Sequence, residues 1–361
     1  MPYDLSQILV VGVSSRALFD LRTEDRLFDE EGLEAYSKYQ IAHEDEPLLP
    51  GPAFALVRAL LHLNAMDSTA RHSEVVVMSR NNADTSLRIF NSIREHRLDI
   101  TRGAMTSGAS LARYAKAFEV DLFLSAHAED VQMAVDGGFA AARIYPSPPD
   151  HLLPTDQVRI AFDGDAVLFS EESELINQAE GLAAFHEHEQ QNASEPLAAG
   201  PFASFLKRLS ALQRRFGRNE KEEGPIRTAL ITARNSPAHE RVIRTLRSWD
   251  VRVDETFLLG GAAKDGVVRA FGPHIFFDDQ ARHLEPSAGH TAVAQVPFRS
   301  SATEQLVLEG LPAPLDAPPP QPRRRSTRKP KGSADVAPPT VFPPSATVPS
   351  QRTRGARRKK S

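Results

Sequence analysis

The sequence predicts an α/β protein made of two tandem units, each a parallel sheet covered by helices on both faces. The first reason is that short apolar runs typical of strands alternate with helical patterns along the chain. The second is that the chain repeats its own sequence at an offset of about 150 residues, a common domain size. The third is the length, because 361 residues are enough for two domains with ordinary cores.

Strands and helices follow from the spacing of apolar residues in each unit. Residues 53–63 of the first unit and 202–212 of the second place apolar side chains at helical spacing. An order of strand, helix, strand, helix is typical of a parallel sheet. The predicted strands are residues 8–13, 75–78 and 122–124 in the first unit and residues 158–162, 229–231 and 274–277 in the second.

An internal duplication explains why the two units look alike. The matched segments keep their order, and their offsets drift only from 149 to 154, as a few short insertions would produce. We therefore interpret residues 1–150 and 151–300 as two copies of one domain. Matched pairs are Ala17-Leu18-Phe19 with Val167-Leu168-Phe169, Glu46-Pro47-Leu48 with Glu195-Pro196-Leu197, and Arg80-Asn81 with Arg234-Asn235.

Composition excludes several kinds of protein. With 41% hydrophobic and 25% charged residues the chain is typical of globular proteins. It contains no cysteine, which excludes disulfides, thiolate metal sites and a cysteine nucleophile. We find neither a long apolar run nor the basic start and apolar core of a signal peptide, so we expect a cytoplasmic protein without a membrane span.

The C-terminal segment differs from the rest in charge. The net charge of the chain is −4, yet residues 311–361 hold 12 basic and 2 acidic residues together with 12 of the 27 prolines. Such a composition buries too little apolar surface to fold, so we predict that residues 301–361 form a Pro-rich, basic, disordered tail. A solvated tail is the simpler interpretation, and weak binding to polyanions is the alternative.

Two aspartates follow the predicted strand at residues 158–162. Asp163 and Asp165 lie two residues apart in an extended segment, so both carboxylates point to one side, and Gly164 lets a ligand approach the backbone. Like charges this close favour a divalent metal site, an acid/base pair, or both. A turn with no chemical role is the alternative for so short a motif.

Further polar residues follow the other predicted strands of the second unit. Thr232 ends one apolar run, Asp278-Asp279 end another, and Lys264 lies in the loop between them. Because ligands of open parallel sheets bind at the carboxyl ends of strands, we expect these side chains to meet Asp163 there. Because these residues follow Asp163-Gly164-Asp165 in this order along the chain, we interpret the tripeptide as part of a candidate active site.

These elements resemble the four motifs of the haloacid dehalogenase superfamily of phosphotransferases. Longer segments resemble one of its members, the cytosolic 5′-nucleotidase I family, and the resemblance covers roughly residues 5–298. It implies two Rossmann-like units, the second of them catalytic. The segments are Phe-Asp-Gly-Asp-Ala-Val-Leu-Phe-Ser at 162–170, Thr-Ala-Arg-Asn at 232–235, Thr-Leu-Arg-Ser-Trp at 245–249 and His-Ile-Phe-Phe-Asp-Asp-Gln at 274–280.

The resemblance implies a Mg²⁺-dependent hydrolase of nucleoside 5′-monophosphates such as AMP. Asp163 would attack the phosphorus to form an aspartyl-phosphate, and Asp165 would serve as the general acid and then the general base. Thr232 and Lys264 would hold the phosphoryl oxygens. The alternative is a phosphatase of the same superfamily that acts on another small phosphomonoester, such as a sugar phosphate.

The resemblance also implies a Mg²⁺ site. Asp163, the backbone carbonyl of Asp165 and Asp278 would bind the ion, with Asp279 as a further ligand or a neighbour of the ligands. An oxygen-only set of ligands suits this hard cation.

A cap over the active site is expected at about residues 171–224, where this superfamily inserts one. Within it Phe185 is a candidate for stacking on the base, whereas Phe202 fits helical core packing better. Arg234 and Asn235 are further candidates for substrate binding, although both recur in the first copy as Arg80 and Asn81.

The first copy lacks most of the catalytic residues and is predicted to be non-catalytic. It is a candidate structural or regulatory module that binds an ADP-like nucleotide effector, as the resemblance implies, and we also expect a homo-oligomer. The aligned positions are Val13 and Ser15 opposite Asp163 and Asp165, Met78 opposite Thr232, Leu111 opposite Lys264, and Ser125-Ala126 opposite Asp278-Asp279.

Overall fold

The computed structural model describes residues 5–146, 156–173, 176, 181–217, 224–236 and 238–299. All of them belong to one compact unit, Met1–Leu311. The predicted tail at 301–361 lies outside the described residues, as does part of the predicted cap.

A single ten-stranded sheet runs through the described residues in the order β3-β2-β1-β4-β5-β10-β9-β6-β7-β8. Its neighbouring strands are parallel, except that β5 and β10 pair antiparallel. The strands are β1 Leu9–Ser14, β2 Ser73–Ser79, β3 Arg102–Met105, β4 Leu122–Ser125, β5 Ala141–Ile144, β6 Val158–Phe162, β7 Ile226–Thr232, β8 Glu255–Leu258, β9 Ile275–Asp278 and β10 Val293–Gln295.

Each half of the chain contributes five adjacent strands with the same internal order. In the first half the order is third, second, first, fourth, fifth, and the second half repeats it from the opposite edge of the sheet. The two halves meet where β5 and β10 pair at Ile144 and Ala294. The predicted α/β class with a mostly parallel sheet is therefore confirmed.

Helices cover both faces of the sheet, and among the described residues none is long and apolar enough to cross a membrane. One hydrophobic cluster fills one face across both halves, whereas two separate clusters fill the other face. The helices are α1 Ser15–Leu18, α2 Arg22–Ala42, α3 Phe54–Met66, α4 Ala83–Glu95, α5 Ala112–Ala115, α6 Ala128–Asp136, α7 Leu182–Gln191, α8 Ala203–Phe216, α9 His239–Ser248, α10 Asp265–Phe271 and α11 Ala281–Leu284.

The six predicted strands are confirmed as β1, β2, β4, β6, β7 and β9, which lie at the centre of each half. β3, β5, β8 and β10 are not predicted by the pattern of apolar residues. β3 and β8 are the outer strands and are half-exposed, so they lack an apolar run. β10 is only three residues long, and β5, with the sequence Ala-Ala-Arg-Ile, lacks a run of large apolar side chains.

The pairing of strands and of the loops that follow them shifts three of the alignments between the halves by one residue, and it aligns Asn81 rather than Arg80 with Arg234. Val13 of β1 pairs with Val77 and Leu124 on its two neighbouring strands. Phe162 of β6 pairs in the same way with Leu230 and Phe277, so Val13 corresponds to Phe162. The next residue, Ser14, therefore corresponds to Asp163. The same pairing aligns Ser79, the last residue of β2, with Thr232, the last residue of β7. The physical reason is side-chain alternation, because a shift by one residue would exchange the two faces of a strand.

Candidate active site

The carboxyl ends of β6, β7 and β9 bring the predicted residues together. Asp163 directly follows β6, Thr232 is the last residue of β7, and Asp278 is the last residue of β9. Because β6 lies between the other two strands and all three are parallel, their ends are adjacent. Lys264 joins them from the residue before α10, and all four side chains are buried.

Lys264 connects two of the carboxylates. Its Nζ lies 2.8 Å from Asp163 Oδ1 and 2.6 Å from Asp278 Oδ2. Burial alone would lower the pKa of this lysine, but the charges of the two aspartates outweigh burial and raise it. The side chain therefore remains an ammonium group between two acids.

Three carboxylates share this one ammonium. Burial, opposed by the charge of Lys264, raises the pKa of Asp163 to about 7. Burial and the charges of Asp163 and Asp278 raise the pKa of Asp279 to about 8, and Asp279 Oδ2 is buried without a hydrogen bond. Both groups would ionise readily only beside an additional positive charge.

The same three aspartates form a candidate metal site. Asp163, Asp278 and Asp279 each offer a carboxylate oxygen, and these atoms lie within 4.8 Å of one another. An all-oxygen set of donors suits a hard divalent cation. The unpartnered oxygen of Asp279 is a further sign that the residues fit such an ion.

Asp278 is held in the ionised form. Although burial opposes ionisation, a hydrogen bond between its Oδ1 and His283 Nδ1 (3.1 Å) and the charge of Lys264 keep the pKa of Asp278 below its ordinary value. The backbone N–H of Gln280 also donates to Oδ1, at 2.9 Å. Its orientation is therefore fixed from three sides.

The loop after β6 leaves little room for a side chain at Gly164. A Cβ there would lie 3.1 Å from Thr232 Oγ1, so glycine brings the two strand ends close together. The wide turn Gly164–Leu168 also holds Ala166 at φ 60°, a conformation that costs free energy for a residue other than glycine. Strain of this kind is common where a loop positions reactive groups.

The side chain of Asp165 points away from the candidate metal site. Arg234 binds it with two hydrogen bonds, from Nε to Oδ2 at 2.8 Å and from Nη2 to Oδ1 at 2.6 Å. The structure thus separates the two aspartates of the motif. Asp163 belongs to the carboxylate cluster, and Asp165 belongs to an ion pair at its edge.

Arg234 belongs to a buried network of charges that the sequence did not predict. Its Nη1 donates to Glu189 Oε2, and Glu189 Oε1 accepts from Arg241 Nη1 and Ser173 Oγ, each at 2.9 Å. Glu189 and Arg234 are almost completely buried. Burial opposes both charges, but the charge of Arg234 lowers the pKa of Glu189, and the charges of Asp165 and Glu189 raise the pKa of Arg234.

The remaining substrate-binding candidates occupy different environments. Phe185 is buried, and the Arg234 guanidinium lies over its ring at 5.2 Å. Asn235 is half-buried at the end of the β7 loop. Phe202 is completely buried and packs against Phe277 with ring centroids 4.7 Å apart, as core packing predicts.

The predicted cap segment at 171–224 contains two helices with different roles. α8 covers the sheet, because Phe205, Leu206 and Leu209 are completely buried in the large hydrophobic cluster. α7 carries Phe185 and Glu189, the residues that contact Arg234. Within the described residues, α7 is therefore the helix of this segment that reaches the candidate active site.

A helical pattern in the sequence could have identified Glu189. It lies four residues after Phe185, so both share one face of α7, and a carboxylate on a buried helix face requires a partner. Its partners are 45 and 52 residues away in the chain, and no local pattern identifies them. The contact of His283 with Asp278 was missed for a similar reason, since only the fold of α11 brings it back to the strand end.

Known proteins resemble this chain in sequence. Residues 1–303 match the family described as 5′-nucleotidase. The chain is 38% identical over 297 residues to cytosolic 5′-nucleotidase 1B of Homo sapiens, an alignment that covers 80% of this chain and 49% of that protein. The chain thus spans about half the length of this curated relative. A crystal structure of histidinol dehydrogenase from Elizabethkingia anophelis aligns with 68% of this chain and 50% of its own, but at 8% identity and a TM-score of 0.20, which is too low to compare the folds.

Proposed function

Because the chain belongs to the 5′-nucleotidase family, we propose that it hydrolyses nucleoside 5′-monophosphates such as AMP to a nucleoside and phosphate. The observation that carries this proposal is the position of Asp163, whose buried carboxylate lies 2.8 Å from Lys264 within a cluster of three aspartates. A nucleophilic oxygen beside a fixed cation suits attack on an anionic phosphomonoester.

In the proposed first step, a carboxylate oxygen of Asp163 attacks the phosphorus. The bond between phosphorus and the ribose 5′-oxygen breaks, Asp165 gives its proton to that oxygen, and an aspartyl-phosphate remains on Asp163. In the second step, water attacks the phosphorus while Asp165 takes a proton from it. The bond to Asp163 then breaks and phosphate is released.

Asp165 has to exchange its partner before it can donate a proton. Both of its carboxylate oxygens accept hydrogen bonds from Arg234, and a general acid has to carry a proton on one of them. A substrate phosphate offers the guanidinium an alternative anion, and Glu189 keeps Arg234 in place during the exchange. Arg234 is therefore proposed to bind substrate through its phosphate, with Phe185 beneath it and Asn235 beside it.

Lys264 and Thr232 are proposed to hold the phosphoryl oxygens. Lys264 already contacts the nucleophile, and Thr232 Oγ1 lies at the neighbouring strand end. Asp163, Asp278, Asp279 and the backbone carbonyl of Asp165 would hold Mg²⁺, as the all-oxygen donor set favours. When bound, the ion would balance negative charge on the phosphoryl group.

We further propose that the two halves arose by duplication and that the second half, residues 151–300, is the catalytic domain. Their equal strand order supports this proposal, as do matched hydrogen bonds. Arg88 Nε donates to the carbonyl of Glu46 at 3.0 Å in the first half, and Arg241 Nε donates to the carbonyl of Glu195 at 3.0 Å in the second. Residues 1–150 are then a non-catalytic repeat of haloacid dehalogenase type.

Partners and location remain proposals of the same kind. We propose a homo-oligomer, an ADP-like nucleotide effector and a cytoplasmic location, the last because the human relative is named cytosolic. The basic tail, which lies outside the described residues, is proposed to bind polyanions weakly.

Phosphate release from AMP in the presence of Mg²⁺ tests the catalytic proposal. We expect EDTA and the substitution Asp163→Asn to abolish release, and Asp265→Asn to retain it. Asp265 is a matched control because it follows Lys264 directly but is bound to His290 at 2.6 Å, outside the carboxylate cluster. Activity of Asp163→Asn near the wild-type level would refute the mechanism.

A substrate screen separates the proposal from its alternative. The 5′-mononucleotides and deoxymononucleotides are compared with a sugar phosphate under the same conditions. A higher kcat/KM for the sugar phosphate would favour a different phosphatase of the haloacid dehalogenase type.

A further inference from the structure

The first half contains a cavity of about 380 Å³ at the carboxyl ends of its own strands. This is the place in the first half that corresponds to the candidate active site of the second, because Ser14 and Ser79 line it and correspond to Asp163 and Thr232. Its volume falls in the range of cavities that bind small molecules.

The walls of this cavity have two different chemical characters. One wall is apolar and includes Phe28, Leu33 and Tyr36 of α2, with Phe28 43% and Leu33 63% exposed at the mouth. The opposite wall is polar and includes the hydroxyls of Ser14 and Ser79. A ligand with one apolar and one polar end would match both walls.

The polar wall carries cations and no acid. Arg16 and Arg80, which carry guanidinium groups, line the cavity beside His127, and among the described residues its lining contains no aspartate or glutamate. Arg80 donates two hydrogen bonds to Asp130, at 2.6 and 3.1 Å. Arg16 forms an ion pair with Asp25 at 2.5 Å. These two aspartates hold the guanidinium groups in place. Such an arrangement suits an anionic ligand and offers no carboxylate to a metal ion.

A comparison with the second half explains how the cavity forms. There Glu189 holds Arg234 against Phe185, where it fills the space between α7 and the strand ends. The first half has Gln40 at the position of Glu189, and Gln40 donates to the hydroxyl of Tyr36 at 3.0 Å instead.

Asn81 corresponds to Arg234, because the backbone N–H of each donates to the hydroxyl of the last strand residue at 3.2 Å, so a shorter amide replaces the guanidinium. Arg80, which precedes Asn81, binds Asp130 on α6. The space that an arginine occupies in the second half remains open in the first. Tyr36 instead contacts Asn81 through a 3.1 Å hydrogen bond, which fixes its ring along the cavity wall.

We propose that this cavity binds a nucleoside monophosphate without a metal ion and without hydrolysing it. The base would lie against Tyr36, Phe28 and Leu33, where it would cover apolar surface that is now exposed. The phosphate would lie at the strand ends near Arg16 and Arg80. Hydrolysis is excluded at this position because Ser14 replaces the nucleophile Asp163 and Leu111 replaces Lys264.

Titration calorimetry of the full chain with AMP in the presence of EDTA tests the proposal. The protein carries Asp163→Asn so that no substrate is consumed, and we expect one AMP to bind per chain. Phe28→Ala and Leu33→Asp should each weaken this binding by about tenfold or more, because they remove apolar contact or add a negative charge at the mouth. Both side chains are exposed, so the fold should tolerate the changes, and thermal unfolding verifies this.

Leu182→Asp is the matched control in the second half. Leu182 is 61% exposed and follows Gly181 (φ 85°), as Leu33 is 63% exposed and follows Gly32 (φ 82°). We expect this variant to bind AMP in EDTA as tightly as its parent. Adenosine and inorganic phosphate, titrated separately, should each bind at least tenfold more weakly than AMP.

Two results would overturn the proposal. The first is the absence of AMP binding in EDTA. The second is AMP binding that is weakened by Leu182→Asp but not by Phe28→Ala or Leu33→Asp. Neither result depends on whether the wild-type protein releases phosphate with Mg²⁺, so failure of this proposal is distinguishable from failure of the catalytic one.

Discussion

Replacing Glu189 by glutamine tests the buried charge network beneath the candidate active site. The side chain of Glu189 is 0% exposed, and its partners Arg234 and Arg241 are 1% and 6% exposed. Removal of one partner of a buried ion pair costs about 3–5 kcal/mol, because the remaining charge has lost its compensation. Arg234 retains Asp165 and Arg241 retains the carbonyl of Glu195, so we expect the lower value, about 3 kcal/mol.

Urea unfolding measures this cost, with Glu187→Gln as the control on the same helix. Glu187 is exposed, and its substitution should change the free energy of unfolding by less than about 0.5 kcal/mol. We also expect Glu189→Gln to lower kcat for AMP by about tenfold or more, since Arg234 would lose its fixed position. A loss of stability no larger than that of the control would show that Glu189 is not the anchor of this network.

Three further predictions concern the charge and packing of the same region. The pKa of Asp163 and of Asp279 is raised in the folded protein, so the folded state binds more protons than the unfolded state. In EDTA, the free energy of unfolding should therefore fall as pH rises from about 5 to 8. Excess Mg²⁺ should reduce this slope in urea titrations, and an unchanged slope would contradict a metal site formed by these carboxylates. Lys264→Met should lower kcat by about 100-fold or more with AMP and Mg²⁺, whereas a change confined to KM would indicate a role in binding alone. Gly200→Ala should lower the midpoint of thermal unfolding, because its Cβ would lie 2.3 Å from a backbone oxygen. Gly266→Ala is the control and should leave the midpoint unchanged, because its Cβ would meet nothing within 4 Å.

The sequence was sufficient to predict the central strands and the positions of the polar residues at their ends. A buried parallel strand requires a continuous apolar run, and the first residue that breaks the run must lie at the carboxyl edge of the sheet. Asp163, Thr232 and Asp278 are therefore recognisable without any knowledge of the fold. The outer strands β3 and β8 are not, because half-exposed edges lack this pattern.

Contacts between distant segments could not be predicted in the same way. The carboxylates of Asp163 and Asp165 appear equivalent in the sequence, yet one contacts Lys264 and the other Arg234. What separates them is the left-handed residue Ala166 and the buried anchor Glu189, and neither follows from local spacing. Likewise, the sequence matches between the two halves leave their strands out of register by one residue, since an insertion within a loop cannot be positioned by identity alone.

Matched positions at the strand ends carry different polar groups in the two halves. Ser14, Ser79 and Ser125 are buried hydroxyls where the second half has Asp163, Thr232 and Asp278. Hydroxyls can satisfy one another, as the 3.0 Å contact of Ser15 with Ser79 illustrates, whereas buried carboxylates require a cation. Gln40 and Asn81 stand where the second half has Glu189 and Arg234, so two amides replace the buried ion pair between helix and strand ends. Because the amide of Asn81 is shorter than the guanidinium of Arg234, the first half keeps an open cavity at its strand ends.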